Sequence, residues 1–152
     1  MISVAAMGNE MNAPAAVAGN QPAAEALCFV LADDPAIGWL LTTALFGFGI
    51  TAERFTGVTS MLERVAERPP EMIFLDLFVG EADVIDILRE LGRMAYGGEV
   101  QIMSSGESTL LDDVRRVGAR LGLCMLPILP KPFRLDAVRQ VIERARRRGF
   151  AA

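Results

Sequence analysis

Five short runs of strand character, each followed by a segment with helical periodicity, constrain this chain more than anything else in its sequence. Leu27–Ala32, Met72–Leu75, Val100–Met103 and Cys124–Leu129 are near-continuous apolar runs and read as strands buried on both faces. Residues 50–55 form a more polar second strand, expected at a sheet edge. Pro35 opens a helix carrying Ile37, Leu40, Leu41, Ala44 and Leu45 at helical spacing, which Gly47 and Gly49 end. Thr59 or Ser60 is expected to cap a helix running to Ala66, which Pro69-Pro70 stops. Further helices are expected over residues 83–94, 110–121 and 135–148.

Strands alternating with helices predict an α/β fold with a parallel sheet and helices on both faces. In such folds ligands bind beyond the carboxyl ends of the strands. The residues at those ends are Asp33 and Asp34, Asp76, Ser104 and Ser105, and Lys131.

The 152 residues suit one domain. Residues 1–24, rich in Ala, Gly, Asn and Pro, read as a flexible tail, or as an extra helix docking on the domain or a neighbour; residues 25–152 read as the domain. No basic stretch precedes an apolar run near the N-terminus, so no signal peptide is expected, and no run is long enough for membrane insertion. The net charge of −4 draws no nucleic acid by bulk attraction, despite a local cluster at Arg144, Arg146, Arg147 and Arg148. With no histidine, the chain can build neither a Ser-His-Asp triad nor a histidine metal site. Its two cysteines, Cys28 and Cys124, lie in apolar runs and read as buried thiols of a reducing, cytoplasmic compartment.

The strand-end residues have a coherent chemistry. Clustered carboxylates repel one another unless a cation sits among them, and oxygen donors without histidine favour Mg²⁺ over zinc. Lys131, the single lysine among fifteen cationic residues, is a compact charge suited to a phosphoryl oxygen. A hydroxyl before glycine, Ser105-Gly106, offers further donors. The set describes a carboxylate that accepts a phosphoryl group while metal and lysine neutralise developing charge.

Four ordered motifs carry a family resemblance: Val30-Leu31-Ala32-Asp33-Asp34-Pro35-Ala36-Ile37, Ile73-Phe74-Leu75-Asp76-Leu77, Ile102-Met103-Ser104-Ser105-Gly106 and Lys131-Pro132-Phe133. Over about residues 26–148 the chain resembles the receiver domains of two-component response regulators, of the chemotaxis, stand-alone type. The resemblance implies a flavodoxin-like five-stranded parallel sheet of order 2-1-3-4-5. It implies Asp76 as phosphoacceptor, Lys131 as phosphate-binding lysine, Ser105 as the hydroxyl of the fourth strand, and Mg²⁺ held by strand-one acids, Asp76 and the backbone carbonyl of Phe78. Two registers fit strand one. Anchored on Pro35-Ala36-Ile37, Asp33 takes the second acid position and Ala32 replaces the first; anchored on the acids, Asp33 and Asp34 form the pair. The first leaves no gap and is preferred, and Asp33 is a metal ligand in both.

The expected function is that of a single-domain response regulator, because the chain ends soon after the fifth helix. It would take a phosphoryl group from a histidine kinase or histidine phosphotransfer protein and signal to a downstream protein target by contact. It would be no free-standing enzyme, although it takes part in its own phosphorylation and dephosphorylation. A homodimer on the face of the fourth helix, fifth strand and fifth helix, through exposed apolar residues such as Ile128 or Phe133, is a further expectation; the alternative for Phe133 is that it packs into the domain. The alternative is a degenerate receiver, a binding module independent of phosphorylation. Three departures from the family pattern favour it: Ala32, Gly80 in place of a proline, and Ile128 at the usually aromatic switch position. Phe78, where small or polar residues are common, is expected to shield an acyl phosphate from water. It also argues against a haloacid-dehalogenase-like phosphatase, which needs an acid there.

Overall fold

The computed structural model describes residues 26–77, 83–105 and 108–149. The expected tail, residues 1–24, lies outside them, as do Phe78, Gly80 and Gly106. The elements in chain order are β1 (Leu27–Leu31), α1 (Pro35–Gly47), β2 (Thr51–Phe55), α2 (Val58–Glu67), β3 (Met72–Asp76), α3 (Val84–Arg93), β4 (Glu99–Ser104), α4 (Ser108–Arg120), β5 (Cys124–Met125), β6 (Leu129–Pro130) and α5 (Leu135–Arg147). All strand pairs are parallel, in the order β2-β1-β3-β4-β5, and β6 pairs β4 farther along the β5 edge. This is the expected order 2-1-3-4-5, with β5 and β6 as two pieces of the fifth strand.

Alternation along the strands divides the core. Leu27, Phe29 and Leu31 of β1 join Ile73, Leu75, Val100 and Ile102 on the face covered by Met61 and Val65 of α2 and Leu88 and Leu91 of α3. Cys28 and Val30 point the other way, with Met72, Phe74 and Met103, beneath Leu41 and Leu45 of α1 and Val138 and Ile142 of α5. Phe29 and Phe74 are fully buried, each worth about 1.5–3 kcal/mol of apolar burial. Helix starts are specified locally: Asp34 and Asp83 accept from Ala36 N–H and Ile85 N–H at 2.9 Å each. At α2 the expected cap is displaced. Gly57 occupies the N-cap position in extended conformation, and Ser60 lies inside the first turn, donating its hydroxyl to the Gly57 carbonyl at 3.1 Å.

The fifth strand is not continuous as the sequence suggests. Glu99 and Val100 pair with Cys124 and Met125, whereas Met103 and Ser104 pair with Leu129 and Pro130. Two residues of β4 therefore face three of the edge strand, which is a bulge at Leu126-Pro127-Ile128. Pro127 has no N–H to give a ladder. The buried amide of Gln101 fills the gap, donating to the Pro127 carbonyl at 2.7 Å and the Ile102 carbonyl at 3.1 Å. The bulge lets Leu126 and Leu129, three apart, reach the same core face.

The cysteines differ from expectation too. Cys28 is buried, but Cys124 begins the edge strand and is exposed. Burial, with Glu71 and Glu99 nearby, pushes the Cys28 thiol well above its ordinary ionisation range. Native protein is expected to react with one equivalent of a neutral-pH thiol reagent, at Cys124, and with two only after denaturation. A Cys124→Ser variant that still reacts quickly would contradict this assignment.

Gly98 closes the β3–β4 connection. A Cβ there would stand 2.7 Å from the Glu71 carbonyl oxygen and against the hydroxyl of buried Tyr96, which donates to Pro70 O at 2.8 Å. The Glu71 oxygen also accepts the Glu99 N–H that opens the β4 ladder. Gly98→Ala is expected to lower unfolding free energy by about 1–3 kcal/mol, measured by urea denaturation.

Candidate functional site

The parallel sheet brings the carboxyl ends of β1, β3, β4 and β6 to one edge. Asp76 is the last residue of β3, paired with Met103 of β4, and is only 4% exposed. A carboxylate so buried requires a partner. Lys131, directly after β6, supplies it: Nζ lies 3.0 Å from both Asp76 oxygens. The Lys131 backbone N–H donates to Ser104 O at 2.9 Å, so the β4 end fixes the stem from which the ammonium reaches. The side chain keeps 20% exposure, enough to meet an incoming anion. The bond from Lys131 to Pro132 is cis.

The other expected site residues divide by environment. Extending the β1–β3 register one residue past Leu31–Leu75 sets Ala32, not an acid, beside Asp76. Asp33 follows and is exposed, whereas Asp34 is committed to the α1 cap. Pro35 stands in the first turn of α1, directly after the capping Asp34. Ser104 is buried as the last residue of β4; Ser105 is exposed in the bend beyond. The Phe78 carbonyl lies outside the described residues. Among the described residues no three carboxylates or thiols are grouped to hold a metal ion. The donor types still fit a hard cation: Asp33, two residues beyond the end of β1, and Asp76, the last residue of the adjacent β3, are carboxylates at strand ends of a sheet without histidine.

Ile128, expected to be exposed, is half-buried against one core face. Phe133 packs against the other, the second of the two readings open for it. Among the described residues the exposed large apolar side chains are instead Trp39, Phe46 and Leu135. The sequence signal for the exposure of Trp39 and Phe46 is that Pro35–Gly47 contains no charge to mark its outward side.

The α/β fold and the buried strand-end aspartate clamped by a lysine can be set beside known proteins. No family model matches the chain. It is 28% identical over 119 residues to the DNA-binding transcriptional regulator NtrC of Escherichia coli strain K12, covering 78% of this chain and 24% of that protein. The chain thus spans about a quarter of the length of the curated relatives it matches. Among solved structures, a response regulator from Colwellia psychrerythraea aligns with a TM-score of 0.70 at 20% identity, covering 81% of this chain and 98% of that one. The receiver domain of NtrX from Brucella abortus aligns with a TM-score of 0.65 at 23% identity, covering 78% and 96%. The fold is that of a response-regulator receiver domain, and the sequence likeness points to the same class. No helix among the described residues is long and apolar enough to cross a membrane.

Removing the Lys131 ammonium strands a buried carboxylate. Lys131→Met is expected to lower unfolding free energy by about 1–3 kcal/mol, and Asp76→Asn in that background to restore most of it. Asp76→Asn alone should cost little, because the half-buried lysine can turn to solvent. Additive effects in this double-mutant cycle would show that the pair is not coupled.

Proposed function

We propose that the chain accepts a phosphoryl group on Asp76 and signals through protein contact. The observation that carries this reading is the bidentate contact of the only lysine with a buried strand-end carboxylate. An Asp76 oxygen attacks the phosphorus of a phosphohistidine on a histidine kinase or phosphotransfer protein. The P–N bond breaks, the histidine nitrogen leaves with the electron pair, and an acyl phosphate forms on Asp76. Lys131 would exchange one carboxylate oxygen for a phosphoryl oxygen, and the exposed Ser105 hydroxyl would donate to another. Asp33, Asp76 and the Phe78 carbonyl would hold Mg²⁺, which neutralises phosphoryl charge when bound. The chain acts as a signalling domain in the cytoplasm; its downstream target is a protein.

A second reading, a binding module independent of phosphorylation, draws on one observation: Ala32 stands beside Asp76 where a second acid would strengthen the cation site. One experiment separates the two. Incubation with Mg²⁺ and acetyl phosphate is expected to add about 80 Da to the intact chain, the mass of one phosphoryl group. Asp76→Asn should abolish the addition and Lys131→Ala should reduce it severalfold. An unmodified wild-type chain would favour the binding module. Sedimentation before and after modification tests whether phosphorylation drives a homodimer.

A further inference from the structure

The outward face of α1 is unlike that of any other helix. Its 13 residues carry no charge, whereas α2, α3, α4 and α5 each carry at least three charged side chains. Trp39 is 65% exposed and Phe46 is 82% exposed, two turns apart, with exposed Thr43 between them. Single exposed apolar residues are ordinary, but two large aromatics on a charge-free helical face mark a contact surface. The neighbouring Phe48 shows the contrast, since the Arg146 guanidinium lies 5.6 Å over its ring. Beside Phe46 a shallow cleft continues the apolar face to the β2 edge, along Thr42, Ile50, Thr51 and Ala52.

The chain outside the structure joins the domain at this cleft. Ala26, the first described residue, accepts the Thr51 N–H at 3.0 Å. The preceding 25 residues contain two charges, Glu10 and Glu25, and no lysine or arginine. Segments that stay solvated are usually rich in charge, and this one is not. Its larger apolar residues include Val4, Met7 and Met11, spaced three and four apart as on one face of a helix. Methionine adapts to irregular apolar surfaces and makes favourable sulfur–aromatic contacts. Reach is no obstacle: α1 is about 20 Å long at 1.5 Å per residue. The stretch from Pro14 to Glu25 spans up to about 40 Å extended.

We propose that residues 1–13 dock on the outward face of α1, with Val4, Met7 and Met11 against Trp39 and Phe46. The docked segment would run beside the strand-end crevice, because Trp39 lies one turn from the Asp34 cap.

Trp39 is the only tryptophan, so its fluorescence reports this face directly. In the full chain, acrylamide quenching of Trp39 is expected to be at least about twofold weaker than in a full-length Val4→Asp/Met7→Asp/Met11→Asp variant, whose emission should shift to the red. The substitutions lie outside the described residues, and circular dichroism checks that the domain is unchanged. Protection independent of protein concentration, with both proteins monomeric by sedimentation, supports the proposal. Equal quenching of the two proteins overturns it. Protection that grows with concentration also overturns it and assigns the face to a second copy of the chain.

Discussion

Burial of β1, β3 and β4 on both faces is the constraint from which the rest of the structure follows. Their backbones can satisfy N–H and C=O groups only by pairing with each other, and their side chains need a helical layer on either side. Parallel pairing then places every carboxyl end at one edge of the sheet. Asp76 is brought to that edge while still inside the packed layer, at 4% exposure. The charge it carries there makes Lys131 a structural requirement as well as a chemical asset.

That double role explains the layout of the β6 end. Lys131 does not reach Asp76 from a free loop. Its backbone is tied to Ser104 O, and the preceding residue is still in register with β4. The register exists because the bulge at Leu126-Pro127-Ile128 absorbs one extra residue, with Gln101 bonding the carbonyl left over. Core packing, the bulge and the ion pair are therefore linked along one edge strand.

The strand-end crevice is asymmetric. On its β3–β6 side, buried Asp76 is held by half-buried Lys131. On its β1 side, Ala32 lies beside Asp76, Asp33 is exposed and Asp34 caps α1. Asp34 holds the helix start through one carboxylate oxygen, which accepts the Ala36 N–H. Ser105 is exposed beyond the strand end, whereas Ser104 is buried.

Much of this was legible in the sequence by itself. Apolar runs of four to six residues set the strands, Pro35 and the paired glycines bounded α1, and strand-end positions singled out Asp33, Asp76, Ser105 and Lys131. These are local signals, set by periodicity and by backbone preferences of proline and glycine. Other features were decided only in three dimensions. The split of the fifth strand depends on register against β4, which no local pattern encodes. Cys124 is exposed because its strand lies at an edge, and Ile128 and Phe133 are half-buried because core faces reach them. The outward position of Trp39 and Phe46 follows from which side of α1 meets the sheet, and an almost wholly apolar helix does not announce that side. The contact between Lys131 and Asp76 is of both kinds: residue types and strand ends predicted that they would share a crevice, but only the folded sheet, joining positions 55 residues apart, brought the ammonium to both carboxylate oxygens.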